Sequence, residues 1–168
     1  MASNMYLFGV VHKREHFDMQ VSKIEEICSV DDGVMMLELA PNYEENIPGV
    51  LQPNFFVALA ERYRPRCNRV ILGDQELTIP KNPDWILSCF LGEDYFYPDN
   101  RRDEIMKHTI EREQPNIVIV GNGHSDEIKE HFPKAHYTVF QENGGYTARF
   151  SHHGSPHNWY RPKSIITL

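Results

Sequence analysis

The chain has 168 residues, of which 40% are hydrophobic and 24% are charged, and this length and composition are typical of one globular domain with a full core. Its formal net charge of −7 and sequence pI of about 5.7 argue against nucleic acid as a partner, because a protein that binds the phosphate backbone carries a basic surface. No apolar run in the sequence approaches the length of a membrane span, so no membrane association is expected.

The first half of the chain alternates predicted strands and helices. Short apolar runs bounded by glycine or proline are typical of strands buried on both faces of a parallel sheet. Apolar residues spaced three and four apart are typical of amphipathic helices. In order, the pattern predicts a strand at residues 5–11, a helix at 14–28, a strand at 34–39, a helix at 53–63 and a strand at 68–72.

In the second half of the chain, the predicted elements before the strand at residue 116 are less regular. A short helix is predicted at residues 84–91 and a longer one at 99–112, and a strand then runs from residue 116 into Gly121. Asn122 and Gly123 are expected to form a turn, after which Ser125 begins a short helix that ends at His131.

The last predicted elements complete the fold class. Residues 137–141 and 146–150 alternate as a hairpin across an Asn-Gly turn, and residues 151–168 look irregular. We therefore expect a single α/β domain at residues 1–150, with a mostly parallel central sheet, flanking helices and a C-terminal antiparallel hairpin. Residues 151–168 are expected to be a tail.

Four polar residues fall at the carboxyl ends of four predicted strands, namely His12, Glu38, Asp74 and His124. In a parallel sheet these ends lie on one edge, where open α/β sheets bind their ligands. The two histidines close two copies of a G-x-x-H pattern, which is less often an accident than a single copy. The sequence therefore predicts that these side chains converge.

Glu38 is the most informative of the four, because it stands in a run of Val, Met and Leu. An unpaired carboxylate there would cost several kcal/mol, so a partner is required, and a metal ion, an arginine and a histidine all qualify. Two imidazoles with one or two carboxylates are a plausible set of ligands for a divalent metal, and the same groups suit general acid/base chemistry. The plainer alternatives are a structural pair of Glu38 with an arginine, an Asx turn at Asp74 and histidines that only end strands.

Cysteine usage and the first residues favour a cytoplasmic location. Three cysteines without CxxC spacing cannot all pair within one chain, which fits a reducing compartment better than a disulfide scaffold. The first residues lack the basic region and the long apolar core of a secretory signal.

Five motifs in order resemble those of the TraB, PrgY and Tiki group, which belongs to a superfamily with the erythromycin esterases and the haem-associated protein ChaN. The motifs are YLFGVVH, LEL with Glu38, ILGDQELT, RRDEIMKHTIE and IVIVGNGH, and together they span roughly residues 5–131. Arg102, four residues before Met106, takes the place of an arginine that precedes a helical methionine in the group's pattern. The chain departs from that pattern in having Gln75 after Gly-Asp, and in its short segment between Glu38 and Asp74.

The resemblance implies a metal-dependent hydrolase that acts on a peptide or another amide or ester. His12 and His124 would hold a divalent ion such as manganese, cobalt or zinc, and Glu38 would be a ligand or a general base for the bound water. Asp74 would complete the coordination or orient a histidine. Arg102 would stabilise the developing oxyanion or neutralise Glu38.

Two alternatives remain open at this point. One is a binding protein without catalysis that sequesters a peptide signal or a haem-like ligand, with residues 95–97 as an aromatic contribution. The other is an esterase-like site without metal, in which Glu38 and the histidines do acid/base chemistry. The expected partner is a small-molecule or peptide substrate, and the sequence leaves the oligomeric state open.

Overall fold

The computed structural model describes residues 4–43, 54–76, 101–149 and 165–167. The strands within these ranges are β1 (Tyr6–Val10), β2 (Val34–Leu37), β3 (Arg69–Leu72), β4 (Ile117–Gly121), β5 (His136–Phe140), β6 (Gly145–Arg149) and β7 (Ile165–Thr167). The helices are a 3₁₀ turn at Arg14–His16, α1 (Phe17–Ile27), α2 (Asn54–Tyr63), α3 (Arg102–Glu113) and α4 (Asn122–His131).

The strands form one mixed sheet in the order β3-β2-β4-β1-β5-β6-β7. The pairs β2–β3, β2–β4, β1–β4 and β1–β5 are parallel, and the pairs β5–β6 and β6–β7 are antiparallel. The predicted α/β class, with a mostly parallel sheet and an antiparallel hairpin near the C-terminus, is confirmed. Because β1 to β5 run in one direction, their carboxyl ends share one edge.

Strand β4 shows why the apolar runs are continuous. Ile117 and Ile119 point into the core on one face of the sheet, and Val118 and Val120 point into the core on the other. All four side chains are fully buried. Burying each apolar side chain stabilises the fold by about 1.5–3 kcal/mol relative to leaving it exposed.

The helices cover both faces of the sheet. Helices α1 and α2 pack on one face, through side chains such as Ile24 and Leu59. Helices α3 and α4 pack on the opposite face, where Met106 and Ile128 lie in the second apolar cluster. Since helices cover both faces, the carboxyl ends of the strands are the part of this sheet where a ligand is expected to bind.

Two predictions of local structure were wrong. No turn separates β4 from α4: Gly121 has extended backbone with φ −60° and ψ 147° and precedes a helix that begins at Asn122. Ser125 therefore lies inside the helix, where its hydroxyl donates to the carbonyl of Asn122 at 3.0 Å instead of capping the first turn. In addition, Ile165–Thr167 of the expected tail form β7 and pair with β6.

The other predicted elements agree with the structure to within a few residues. The predicted helix at 14–28 begins with the 3₁₀ turn, and the helix predicted at 99–112 begins at Arg102 and ends at Glu113. The short helix predicted at 84–91 and the aromatic residues 95–97 lie outside the described residues. Within the described ranges, no helix is both long enough and apolar enough to cross a membrane.

Candidate functional site

The parallel register brings the carboxyl ends of four strands, β1 to β4, to neighbouring positions on one edge of the sheet. Leu37 of β2 is opposite Leu72 of β3 on one side and Ile119 of β4 on the other, and Val10 of β1 is opposite Gly121 of β4. The four polar residues of the predicted strand ends lie one to three residues beyond Val10, Leu37, Leu72 and Gly121. The structure brings all four together, along with Arg102 from the first turn of α3.

Glu38 lies at the centre of the cluster, with its side chain only 1% exposed. Its Oε1 accepts a hydrogen bond from Nη2 of Arg102 at 2.5 Å, and its Oε2 accepts one from the backbone N–H of Gly121 at 2.5 Å. A guanidinium and a backbone amide therefore hold the two carboxylate oxygens in place. Hydrogen bonds to an ionised group are stronger than those between neutral groups, so these contacts stabilise a buried carboxylate at the end of an apolar strand.

Arg102 bridges two buried carboxylates. Besides Glu38, it binds Asp74 with two hydrogen bonds, from Nε to Oδ1 at 3.1 Å and from Nη2 to Oδ2 at 2.7 Å. Oδ1 of Asp74 also accepts the backbone N–H of Gln75 at 2.7 Å. Of the two roles predicted for Arg102, the contact with Glu38 is the one that neutralises a buried charge.

His124 lies between two carboxylates. Its Nδ1 is 2.7 Å from Oδ1 of Asp103, and its Nε2 is 3.4 Å from Oε1 of Glu38. It is the third residue of α4, so the helix, rather than a loop, fixes its position. Sequence reasoning missed Asp103, because an acidic residue in the first turn of a helix is ordinarily a partner of the helix dipole.

His12 follows β1 and lies on Gly121. A Cβ atom added to Gly121 would be 2.5 Å from Nε2 of His12 and 3.1 Å from Oε2 of Glu38, so both side chains approach this backbone closely. The His12 ring also packs against Phe55 and Phe56 of α2, with ring centroids 6.2 and 4.8 Å apart. Sequence reasoning placed Phe56 on the apolar face of its helix but missed Phe55.

Gln20 holds the chain just before His12. This fully buried residue of α1 accepts the N–H of Val11 at 2.8 Å and donates to the carbonyl of Val11 at 3.0 Å. Its side-chain amide therefore satisfies both backbone polar groups of the residue next to His12, as a neighbouring strand would. A glutamine on the apolar face of α1 is the sequence signal for such a contact, because a buried amide needs polar partners. Sequence reasoning did not use this signal.

The predicted metal ligands do not fit a metal in this arrangement. No group of three or more His, Cys, Asp or Glu in the described part of the chain is arranged to hold an ion. The reason is that Arg102 and the Gly121 amide bind the oxygens of Glu38, and Arg102 also binds both oxygens of Asp74. A cation at these carboxylates would have to displace a guanidinium that already neutralises them.

Two cysteines are unsuited to nucleophilic chemistry. Cys28 and Cys67 are buried and form no disulfide. Burial raises the pKa of the Cys28 thiol to about 12, so the reactive thiolate is scarce at neutral pH. Burial likewise raises the pKa of Cys67. Of the groups described, the histidines and carboxylates at the strand ends are better suited to acid/base chemistry.

Comparison of the chain with protein-family models, with curated proteins and with solved structures finds no match. The resemblance to the TraB, PrgY and Tiki group thus stays a prediction from the order of the motifs. The geometry of the strand-end cluster is therefore the main argument for function.

Replacing Gly121 with alanine is expected to displace His12 and to destabilise the fold by about 1–3 kcal/mol, because the new methyl group overlaps with the His12 ring. The displacement is measured from the NMR signals of the His12 ring, and the free energy of unfolding from urea denaturation. Gly123→Ala is the matched control, since a Cβ there meets nothing within 4 Å and a helical alanine gains about 0.5–1 kcal/mol over glycine. Unchanged His12 signals in Gly121→Ala would contradict the close approach.

Proposed function

We propose that the chain is a hydrolase that cleaves ester or amide bonds, peptide bonds among them, by means of a water molecule that a histidine activates. The observation that carries the proposal is the convergence of His12, Glu38 and His124 at one edge of the parallel sheet. Nε2 of His124 faces Oε1 of Glu38, and Nε2 of His12 lies against the backbone whose N–H binds Oε2 of Glu38.

The chemistry needs one group that takes a proton from water and another that gives a proton to the leaving group. Histidine is the side chain best suited to exchange protons near neutral pH. His12 is exposed and His124 is partly exposed, so a substrate from solvent can reach both, whereas the side chain of Glu38 is buried. The two imidazoles near Glu38 supply the groups for both proton transfers.

Glu38 acts in this proposal through its charge. Both of its oxygens already accept hydrogen bonds from strong donors, so it is less suited than an imidazole to accept a proton from water. Arg102 favours its ionised form, and the negative charge 3.4 Å from Nε2 of His124 stabilises the imidazolium that forms when water is deprotonated. This role differs from the metal ligand or general base that the sequence predicts.

Dependence on manganese, cobalt or zinc is the part of the sequence prediction that the donor set does not support. The proposed chemistry therefore uses no metal. The resemblance to the TraB, PrgY and Tiki group supports hydrolysis, and a small molecule or peptide in the cytoplasm is the proposed substrate. The buried thiols of Cys28 and Cys67 agree with a reducing compartment.

The proposal is tested with a panel of nitrophenyl esters and fluorogenic peptides. Wild-type protein dialysed against a chelator is expected to turn over a member of the panel. Glu38→Gln, which keeps the side-chain volume and removes the charge, is expected to lower the rate by about 10²-fold or more. Urea denaturation checks that the variant is folded, as expected because Asp74 still binds Arg102.

The same panel is measured after reloading with manganese, cobalt or zinc. Turnover that appears only after reloading would overturn the metal-free chemistry and favour the metallohydrolase of the sequence prediction. Absence of turnover in every condition would overturn the hydrolase and favour the binding protein.

A further inference from the structure

We propose that Asp103 is a positioning residue that holds a proton on Nδ1 of His124 and so leaves Nε2 as the base. The catalytic consequence rests on the proposed function, whereas the effect on the proton of His124 does not. Asp103 is part of the RRDEIMKHTIE motif, but sequence reasoning assigns it no role.

The distance between the two side chains defines the hydrogen bond. Nδ1 of His124 is 2.7 Å from Oδ1 of Asp103, which is a short contact of the charge-assisted type. An ionised carboxylate only accepts hydrogen bonds, so the hydrogen of this contact belongs to Nδ1. In a neutral imidazole with its hydrogen on Nδ1, the lone pair is on Nε2.

The other side of the ring faces the catalytic cluster. Nε2 of His124 is 3.4 Å from Oε1 of Glu38, and Arg102 binds that same oxygen. When Nε2 takes a proton from water, the imidazolium lies between the carboxylates of Asp103 and Glu38. Both carboxylates then stabilise the charge that develops in the transition state.

The packing of α3 against α4 fixes this pair. One turn beyond Asp103, Nζ of Lys107 binds Glu104 of its own helix at 2.9 Å and Glu127 of α4 at 2.8 Å. Residues three or four apart on a helix share one face, so Lys107 lies on the same face of α3 as Asp103, and Glu127 lies on the same face of α4 as His124. The contact between Lys107 and Glu127 therefore holds these two faces together. Asp103 therefore reaches His124 from a rigid helix rather than from a mobile loop.

The direct test is the position of the hydrogen on His124, read from ¹⁵N-labelled protein by long-range ¹H–¹⁵N NMR. The wild type is expected to carry it on Nδ1. Asp103→Ala is expected to shift it toward Nε2 and to lower kcat by about 10²-fold or more. Asp103→Asn, which keeps the volume, is the second variant should Asp103→Ala fail to fold, and it is expected to weaken the preference for Nδ1 in the same direction.

Glu111→Ala is the matched control. Glu111 of α3 is a carboxylate 2.5 Å from Nε2 of His131 of α4, so the control removes a similar pair from the same two helices on the exposed surface. It is expected to change the NMR signals of His131 and to leave those of His124, and the rate, unchanged.

The outcomes separate this inference from the proposed function. A hydrogen on Nε2 of His124 in the wild type, or the same state in the wild type and both Asp103 variants, would overturn the positioning role. If the hydrogen on His124 moves in an Asp103 variant that keeps the wild-type rate, the catalytic consequence of the positioning role would be overturned. The expected shift in a protein that hydrolyses nothing would uphold the positioning role and count against the hydrolase.

Discussion

Arg102→Met is expected to destabilise the fold by about 3–5 kcal/mol. The side chains of Glu38 and Asp74 are each 1% exposed, and the guanidinium of Arg102 binds both of them. Methionine replaces much of the apolar stem but removes the positive charge, so two buried carboxylates lose their shared partner. The cost of an uncompensated buried charge far exceeds the effect of a typical surface substitution.

The loss is measured by urea denaturation at neutral pH. Arg112→Met is the control, because Arg112 lies on the same helix with its side chain 60% exposed, and a change within about 0.5 kcal/mol is expected. Adding Glu38→Gln and Asp74→Asn to Arg102→Met should recover part of the stability, since the charges that needed the arginine are then absent. A loss below about 1 kcal/mol in Arg102→Met would contradict the role of Arg102 as the shared partner.

The second large effect is expected on rate rather than on stability. His12→Gln and His124→Gln should each lower kcat/KM by about 10²–10⁴-fold, which is the usual contribution of general acid/base catalysis. His12 is exposed and His124 is partly exposed at the sheet edge, so stability should change by less than about 1 kcal/mol. Kinetics on an ester or peptide substrate and urea denaturation of the same samples give the two quantities.

His131→Gln is the control for this pair of variants. His131 is on the same helix as His124 but pairs with Glu111 at the surface. Its replacement is expected to leave kcat/KM unchanged. An equal loss in His131→Gln, or wild-type rates in either site variant, would contradict the assignment of the histidines.

The sheet and the convergence of polar side chains follow from simple patterns. Ile117 to Val120 form an unbroken apolar run because alternate side chains enter cores on opposite faces of the sheet. Such runs predict parallel strands, and parallel strands have their carboxyl ends at one edge. His12, Glu38 and His124 follow three such strands, so their approach is predictable from the sequence alone.

The details of the site depend on packing that no local pattern contains. Asp103 contacts a histidine 21 residues away, and Arg102 reaches Asp74 across 28 residues, so both contacts depend on how α3 lies against the sheet. The start of α4 was missed for a different reason. Gly-Asn-Gly is typical of a turn, but Gly121 has extended backbone and leads directly into the helix.

The C-terminal strand β7 was missed because the sequence around it gives no signal of a strand, and its partner β6 lies about twenty residues earlier in the chain. Ile165–Thr167 have no strong alternation of their own and follow a region with two prolines. Their pairing with β6 extends the antiparallel side of the sheet. A short strand of this kind is recognisable only from its partner.

The central claim is that His12 and His124 act with Glu38 as one catalytic unit, and the most direct measurement is kcat/KM of the double variant His12→Gln/His124→Gln beside the two single variants. Groups that act as a unit show strongly non-additive losses. We therefore expect the double variant to lose about as much activity as the more impaired single variant. A loss equal to the product of the two single losses would contradict the claim.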